Sequence, residues 1–200
     1  MRPVAVLPVK RLENAKTRLA SVLPEPDRRK IVLKCFLRTA RLCSMLGLEV
    51  VALTPDTTIA RISVKNGWSV FSDEGSGLNT ALKKFLDTCS EKQVLIILPD
   101  LPLLSRISLE TVLSLARGGT PVICPDLRLD GTNILYLTQI RGFTPAYGRR
   151  SFPKHLRQLN DAKIYVSTET GLDLDRPGDL ALLASSSPAP PSRNKQRGHN

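Results

Sequence analysis

Short apolar runs alternate with amphipathic stretches along most of this 200-residue chain, and that alternation restricts the fold more than any other feature. Residues 4–7 (Val-Ala-Val-Leu) and 94–98 (Val-Leu-Ile-Ile-Leu) contain no polar position, as expected of strands covered on both faces. Between them, 48–53 and 68–71 read as strands, and 27–46, 56–66 and 78–89 as helices. A further helix is expected over 108–117 and a further strand over 121–124. In 27–46 the apolar stripe of Ile31, Val32, Cys35, Phe36, Leu42, Cys43 and Leu46 follows three-and-four spacing, and Gly47 closes the helix. Strands alternating with helices predict an α/β sandwich with a mostly parallel central sheet. Beyond Asp130 the pattern loosens, with strands expected over 133–137 and 163–167. Residues 185–200, rich in Ser and Pro and then basic, read as a disordered tail.

The chain carries 29 Lys and Arg against 18 Asp and Glu, a net charge of +11. Arg28, Arg29, Lys30, Lys34, Arg38 and Arg41 are spaced as the polar face of the 27–46 helix. A basic surface can bind nucleic acid or concentrate small anionic substrates. Aromatic residues are only 4% of the chain, so stacking platforms for bases are few and small anions are favoured. No run approaches the roughly 20 apolar residues of a membrane span. Met1-Arg2 leads directly into a strand without a signal-peptide pattern, and a cytoplasmic protein is expected. Cys35, Cys43, Cys89 and Cys124 are scattered, with no CxxC pair or nearby His, and are expected as reduced thiols rather than zinc ligands.

The first strand empties into a loop bearing Lys10, Lys16 and Arg18. Open α/β sheets bind ligands at the carboxyl edge of their strands, and cations held there suit a polyphosphate. A solvated basic loop is the other reading of the same charges. Asp100 follows the 94–98 strand directly, placed either to bind a hard cation such as Mg²⁺ or to serve a turn. Asp173 and Asp175 alternate along an extended stretch and share one face; with Asp100 they form a plausible metal site for displacement at phosphorus, or else a solvated edge. Asp179, after Pro177-Gly178, suits an early helix position.

Gly75-Ser76-Gly77 opens the 78–89 helix and suits either an anion or an ordinary turn. Neither GxGxxG nor GxxxxGK[ST] occurs. Gly131-Thr132-Asn133 and the cluster from Tyr147 to Ser151 offer donors for a second anion or are ordinary loops, while His155 reads as structural. The chain has no GxSxG and no cysteine in an activating setting. That fits an attacking phosphate oxygen, which is ionised at neutral pH and needs no general base.

Six segments, PVKRLENAKTRL (8–19), DEGSGLN (73–79), LPDLPLL (98–104), GTN (131–133), YGRRS (147–151) with His155, and DLDRPGDL (173–180), occur in this order. Together they resemble the 2-phospho-L-lactate guanylyltransferase family of coenzyme F-420 biosynthesis. The resemblance implies a nucleotide-diphospho-sugar-transferase-like (GT-A-like) fold, with one nucleotidyltransferase domain over 1–184. It implies condensation of GTP with (2S)-2-phospholactate to lactyl-2-diphospho-5'-guanosine plus pyrophosphate, with phosphoenolpyruvate or 3-phosphoglycerate as alternative acids. By the same resemblance Lys10, Lys16 and Arg18 hold the triphosphate and, with Asp100, carry catalysis. Asp100, Asp173 and Asp175 bind Mg²⁺; Asp73, Glu74, Gly77 and Asn79 lie near the nucleotide; Thr132, Gly148 and Ser151 bind the acid. A homodimer is also suggested. Another nucleotidyltransferase and, less favoured, a basic nucleic-acid-binding module are the competing readings.

Overall fold

The computed structural model describes residues 3–72, 77–89, 93–159 and 161–186. Among these, seven strands form one sheet: β1 (Val4–Pro8), β2 (Glu49–Leu53), β3 (Ser69–Phe71), β4 (Val94–Ile97), β5 (Val122–Pro125), β6 (Thr132–Leu137) and β7 (Lys163–Ile164). The helices are α1 (Glu25–Met45), α2 (Thr57–Lys65), α3 (Leu78–Asp87), α4 (Arg106–Leu115), α5 (Ser151–Gln158), α6 (Thr168–Gly171) and α7 (Pro177–Ser186). Asp73 and Glu74 lie outside the described residues, as does the expected tail from 187 onward.

The strand order is β3-β2-β1-β4-β6-β5-β7. The β1/β2, β2/β3, β1/β4 and β5/β7 pairs are parallel, and β6 runs antiparallel to both β4 and β5. The irregular pattern beyond Asp130 thus has a physical cause. Asp126 Oδ1 accepts the Asp130 N–H at 2.9 Å, closing a tight reversal that returns β6 beside β5 without a crossover helix. The strand expected over 163–167 is shorter than its sequence suggests. Tyr165 still donates its N–H to Ile123 O at 3.0 Å, but Ser167 leaves the sheet to cap α6, accepting the Thr170 N–H at 3.2 Å.

Both faces of the sheet are covered, which explains the unbroken apolar runs. Ala5 and Leu7 of β1 face one layer with Phe36 and Ala40 of α1, Ile59 of α2 and Leu109 of α4. Val4 and Val6 face the other with Leu82, Phe85 and Leu86 of α3. Phe36 is fully buried, so its truncation to Ala is worth about 3–5 kcal/mol. Helix starts follow their caps. Asp56 Oδ1 accepts the Thr58 and Ile59 N–H groups at 2.8 and 3.1 Å. Ser105 Oγ accepts the Ser108 N–H at 3.1 Å, so α4 begins at Arg106 rather than at the expected 108.

Candidate active site

β1 and β4 are parallel neighbours, so the loops that leave them, 9–19 and 98–104, emerge side by side at the carboxyl edge. The first loop is anchored rather than solvated along its length. Leu12, Ala15 and Leu19 are buried, Asp56 Oδ2 accepts the Leu12 N–H at 2.8 Å, and Arg28 Nη1 donates to Ala15 O at 2.7 Å. Two short 3-10 turns, Leu12–Asn14 and Thr17–Leu19, flank Lys16, which takes the left-handed conformation (φ 49°, ψ 47°). For a residue with a Cβ this costs about 1–2 kcal/mol.

The strained turn delivers the Lys16 ammonium to Asp100 Oδ2, with Asp175 Oδ1 at 4.0 Å. Its side chain is 11% exposed. Burial alone lowers the Lys16 pKa, but Asp100, by charge and hydrogen bond, with Asp175 and Asp173, outweighs it, and the pKa is raised. Arg18 is exposed and pairs with Asp175 Oδ2. Asp100 is held from beneath by the fully buried Leu101 and Leu104, and Arg38 Nη1 donates to Pro102 O in the same loop.

The third contributor is the stretch 172–176. Leu172 and Leu174 are buried while Asp173 and Asp175 are partly exposed, which is the alternation expected from sequence, although none of the described strands pairs with the segment. Leu174 donates its N–H to Asp100 O at 3.1 Å and so joins the two carboxylate-bearing segments. Gly171 allows the close approach behind them: a Cβ there would lie 2.7 Å from Leu127 Cδ2. Burial, then the neighbouring Asp100 charge, raises the Asp173 pKa to about 6 despite the opposing influence of Lys16.

A cavity of about 450 Å³ opens at this edge. Val9, Val32, Leu53, Leu78 and Leu98 give it apolar walls, and Lys10, Arg11, Lys16, Asp100 and Asp175 a charged end. Gly77 lines it too, at φ +87°, a conformation few side chains tolerate. Among the described residues no three His, Cys, Asp or Glu side chains are already assembled around a metal position. The donors nevertheless fit a hard divalent cation. All are carboxylate oxygens, Asp100 Oδ1 is buried without a hydrogen-bond partner, and like charges sit close enough to raise the Asp173 pKa. Thiol nucleophiles find no support: burial pushes Cys43 and Cys124 up to about 12, and burial with Asp100 pushes Cys35 to about 11.

Thr132, Gly148 and Ser151 do not line this cavity; Thr132 and Ser151 are buried beside it, while Gly148 is exposed on the loop that leads to Ser151. Ser151 Oγ accepts the Thr132 N–H at 2.9 Å, and Ser151 donates its N–H to Gly148 O at 3.1 Å. His155, fully buried, accepts the Ala146 N–H at Nε2 (3.0 Å), which leaves its proton on Nδ1, facing Thr132 Oγ1 at 3.0 Å. Burial, then Lys154, lowers its pKa to about 4, so the ring is neutral. Asn79 links the cavity to the Gly148 loop. Its Oδ1 accepts the Tyr147 N–H at 2.7 Å and its Nδ2 donates to Tyr147 O at 3.0 Å.

The family described as "Guanylyl transferase CofC like" matches residues 3–186. The chain belongs to that family. A 2-phospho-L-lactate guanylyltransferase of Methanocaldococcus vulcanius is 28% identical over 90% of this chain and 83% of its own length. A phosphoenolpyruvate guanylyltransferase of Rubrobacter xylanophilus is 33% identical over 93% of this chain and 95% of its own. Among solved structures, a protein of Desulfovibrio desulfuricans G20 assigned to the nucleotide-diphospho-sugar transferases superposes with a TM-score of 0.71. That match covers 92% of this chain and 87% of the other at 16% identity, and it shows the fold.

For a CofC-like guanylyltransferase the supporting residues are as informative as the charged ones, and sequence reasoning missed several. Arg28 and Arg38 read as a solvated helix face but hold the carbonyls of Ala15 and Pro102, on the two loops that present Lys16 and Asp100. Asn133, buried, donates from Nδ2 to Thr170 O and Gly171 O at 3.0 and 3.2 Å, just ahead of Asp173. Long-range contacts of this kind leave no local signature. No helix among the described residues is long and apolar enough to cross a membrane.

Proposed function

We propose that this protein transfers the guanylyl group of GTP to the phosphate of (2S)-2-phospholactate. A phosphate oxygen of the acid attacks the α-phosphorus of GTP, the bond between α-phosphorus and the bridging oxygen breaks, and pyrophosphate leaves with the electron pair. The product is lactyl-2-diphospho-5'-guanosine. What carries this reading is the family match over 3–186 together with the charged end of the cavity, where Lys16 faces Asp100 and Asp175.

In this reading Lys10, Lys16 and Arg18 hold the triphosphate and neutralise charge as it shifts toward the leaving group. Asp100, Asp173 and Asp175 hold Mg²⁺, whose role is to screen and orient the phosphates. Gly77 and Asn79 serve the nucleotide, and the same role is proposed for Asp73 and Glu74, which lie outside the described residues. The apolar walls suit the base and ribose. Thr132, Gly148 and Ser151 serve the acid, and the hydrogen bonds of Thr132 with Ser151 and His155 hold two of them in place. The ionised acid phosphate needs no base. The same proposal includes a single nucleotidyltransferase domain, a cytoplasmic homodimer and no role for nucleic acid or a membrane.

A second acid has a specific observation behind it. The Rubrobacter xylanophilus phosphoenolpyruvate enzyme is the more identical of the two relatives above, and this chain spans more of its length. The test is kcat/KM for 2-phospholactate, phosphoenolpyruvate and 3-phosphoglycerate with GTP and Mg²⁺, read as pyrophosphate release. Highest turnover with 2-phospholactate supports the proposal, and a preference for phosphoenolpyruvate replaces it with the second reading. Silence with all three removes both.

A further inference from the structure

The side chain of Asp179 is 2% exposed, yet it lies outside the charged edge of the cavity. Its Oδ2 accepts two backbone N–H groups, from Asp175 at 2.9 Å and from Arg176 at 2.6 Å. Its Oδ1 accepts from Arg128 Nη2 at 2.7 Å. The carboxylate therefore has partners on both oxygens, in a place where an unpaired charge would be costly. Arg128 stands on the turn between β5 and β6, whose Leu127 also donates its N–H to Gly171 O at 3.1 Å.

We infer that Asp179 is a positioning residue, fixing the backbone of Asp175 so that this carboxylate stays at the charged edge. The local chemistry is that of half a capping box. Asp179 is the third residue of α7 and reaches back to the N–H groups just ahead of the helix. Here the residue whose backbone is caught bears a side chain that pairs with Arg18 and lies 4.0 Å from Lys16. Asp179 touches no reacting group and acts through Asp175. On the other side, Leu174 bonded to Asp100 O completes a two-point mounting of the 173–175 stretch. The hydrogen bonds outweigh burial and keep the Asp179 pKa below the usual carboxylate range, so the clamp is charged at neutral pH.

This role rests on the proposed function only in the metal-binding part of its test. Amide hydrogen exchange in the ligand-free full chain is the first arm. Asp179→Ala is expected to speed exchange of the Asp175 and Arg176 amides by at least ten-fold while β1 and β4 stay protected. Asp179→Asn, which keeps an acceptor for both amides, is expected to restore most of that protection. Binding of Mn²⁺ with a non-hydrolysable GTP analogue, followed by the electron paramagnetic resonance of free Mn²⁺, is the second arm. Removing an outer support of a ligand should weaken affinity about ten-fold or more in Asp179→Ala, with Asp179→Asn close to wild type.

Unchanged exchange at both amides in folded Asp179→Ala overturns the inference. If wild type binds no Mn²⁺, the functional reading fails while the exchange result still decides the clamp. Should Asp179→Ala fail to fold, Asp179→Ser, whose shorter side chain cannot reach both amides, takes its place, with faster exchange expected at 175 and 176 and unchanged exchange there overturning the inference.

Discussion

The Lys16 ammonium is seated on Asp100 Oδ2, held there by a left-handed backbone turn that a lysine adopts only at a cost. The pairing places a buried cation against the carboxylate that ends a central strand, at the charged end of the 450 Å³ cavity.

Substitution at Lys16 separates charge from strain. Lys16→Ala and Lys16→Gly both remove the cation and should each lower kcat/KM for GTP by about 100-fold or more. Glycine tolerates the left-handed turn, so Lys16→Gly should be more stable than Lys16→Ala by about 1 kcal/mol in urea denaturation. Equal stability would mean that the turn carries no strain, and undiminished turnover would remove Lys16 from the triphosphate site.

Metal removal should affect activity and stability differently. Chelation with EDTA is expected to abolish pyrophosphate release, and Mg²⁺ to restore it. The melting temperature of the substrate-free protein should stay within about 2 °C, because Lys16 already neutralises Asp100 and faces Asp175. A large loss of stability on chelation would show that the carboxylates cannot be satisfied by Lys16.

How much of this edge was legible in the sequence depends on the range of each contact. The apolar runs of β1 and β4 placed Lys16 and Asp100 at one end of the sheet, because strand identity and the parallel rule are local and general. The three-and-four stripe gave α1, and Asp56 could be read as the start of α2. The reversal of β6 was missed because an Asp-rich turn and a crossover loop look alike without tertiary contacts. The second service of Asp56, holding Leu12, spans 44 positions and leaves no trace in either segment. Asp179 was placed correctly at a helix start. Its hold on Asp175 had a signal, a carboxylate three residues into a Pro-led helix, but nothing in that signal says which side chain is being aimed.

The clamp between Asn79 and Tyr147 should be sensitive to truncation. Asn79→Ala leaves the Tyr147 N–H and carbonyl without their side-chain partner, and about 1–3 kcal/mol of stability should be lost. In the proposed function Asn79 serves the nucleotide and Gly148 the acid, so KM should rise for both GTP and the acid. A rise confined to GTP would show that Asn79 serves the nucleotide alone.

His155 gives the protein an acid limb of its own. Its pKa is about 4 in the fold and ordinarily 6.5, so the unfolded chain binds the proton more readily between those values. The contribution of neutral His155 is fully present above pH 6.5 and is lost as pH falls toward 4, by up to about 3 kcal/mol. In His155→Gln, which cannot titrate, the fall in unfolding free energy between pH 7 and pH 4.5 should be smaller than in wild type. Parallel pH profiles would contradict a neutral, buried His155.

Guanylyl transfer itself is tested most directly by following the α-phosphorus. With GTP labelled at that position, Mg²⁺ and 2-phospholactate, the label should appear in an acid-linked guanosine diphosphate product, with one unlabelled pyrophosphate released per product formed. The same reaction with Lys16→Ala should yield little product. Failure to form a labelled adduct with 2-phospholactate, phosphoenolpyruvate or 3-phosphoglycerate, or release of the terminal phosphate in place of pyrophosphate, would contradict the account.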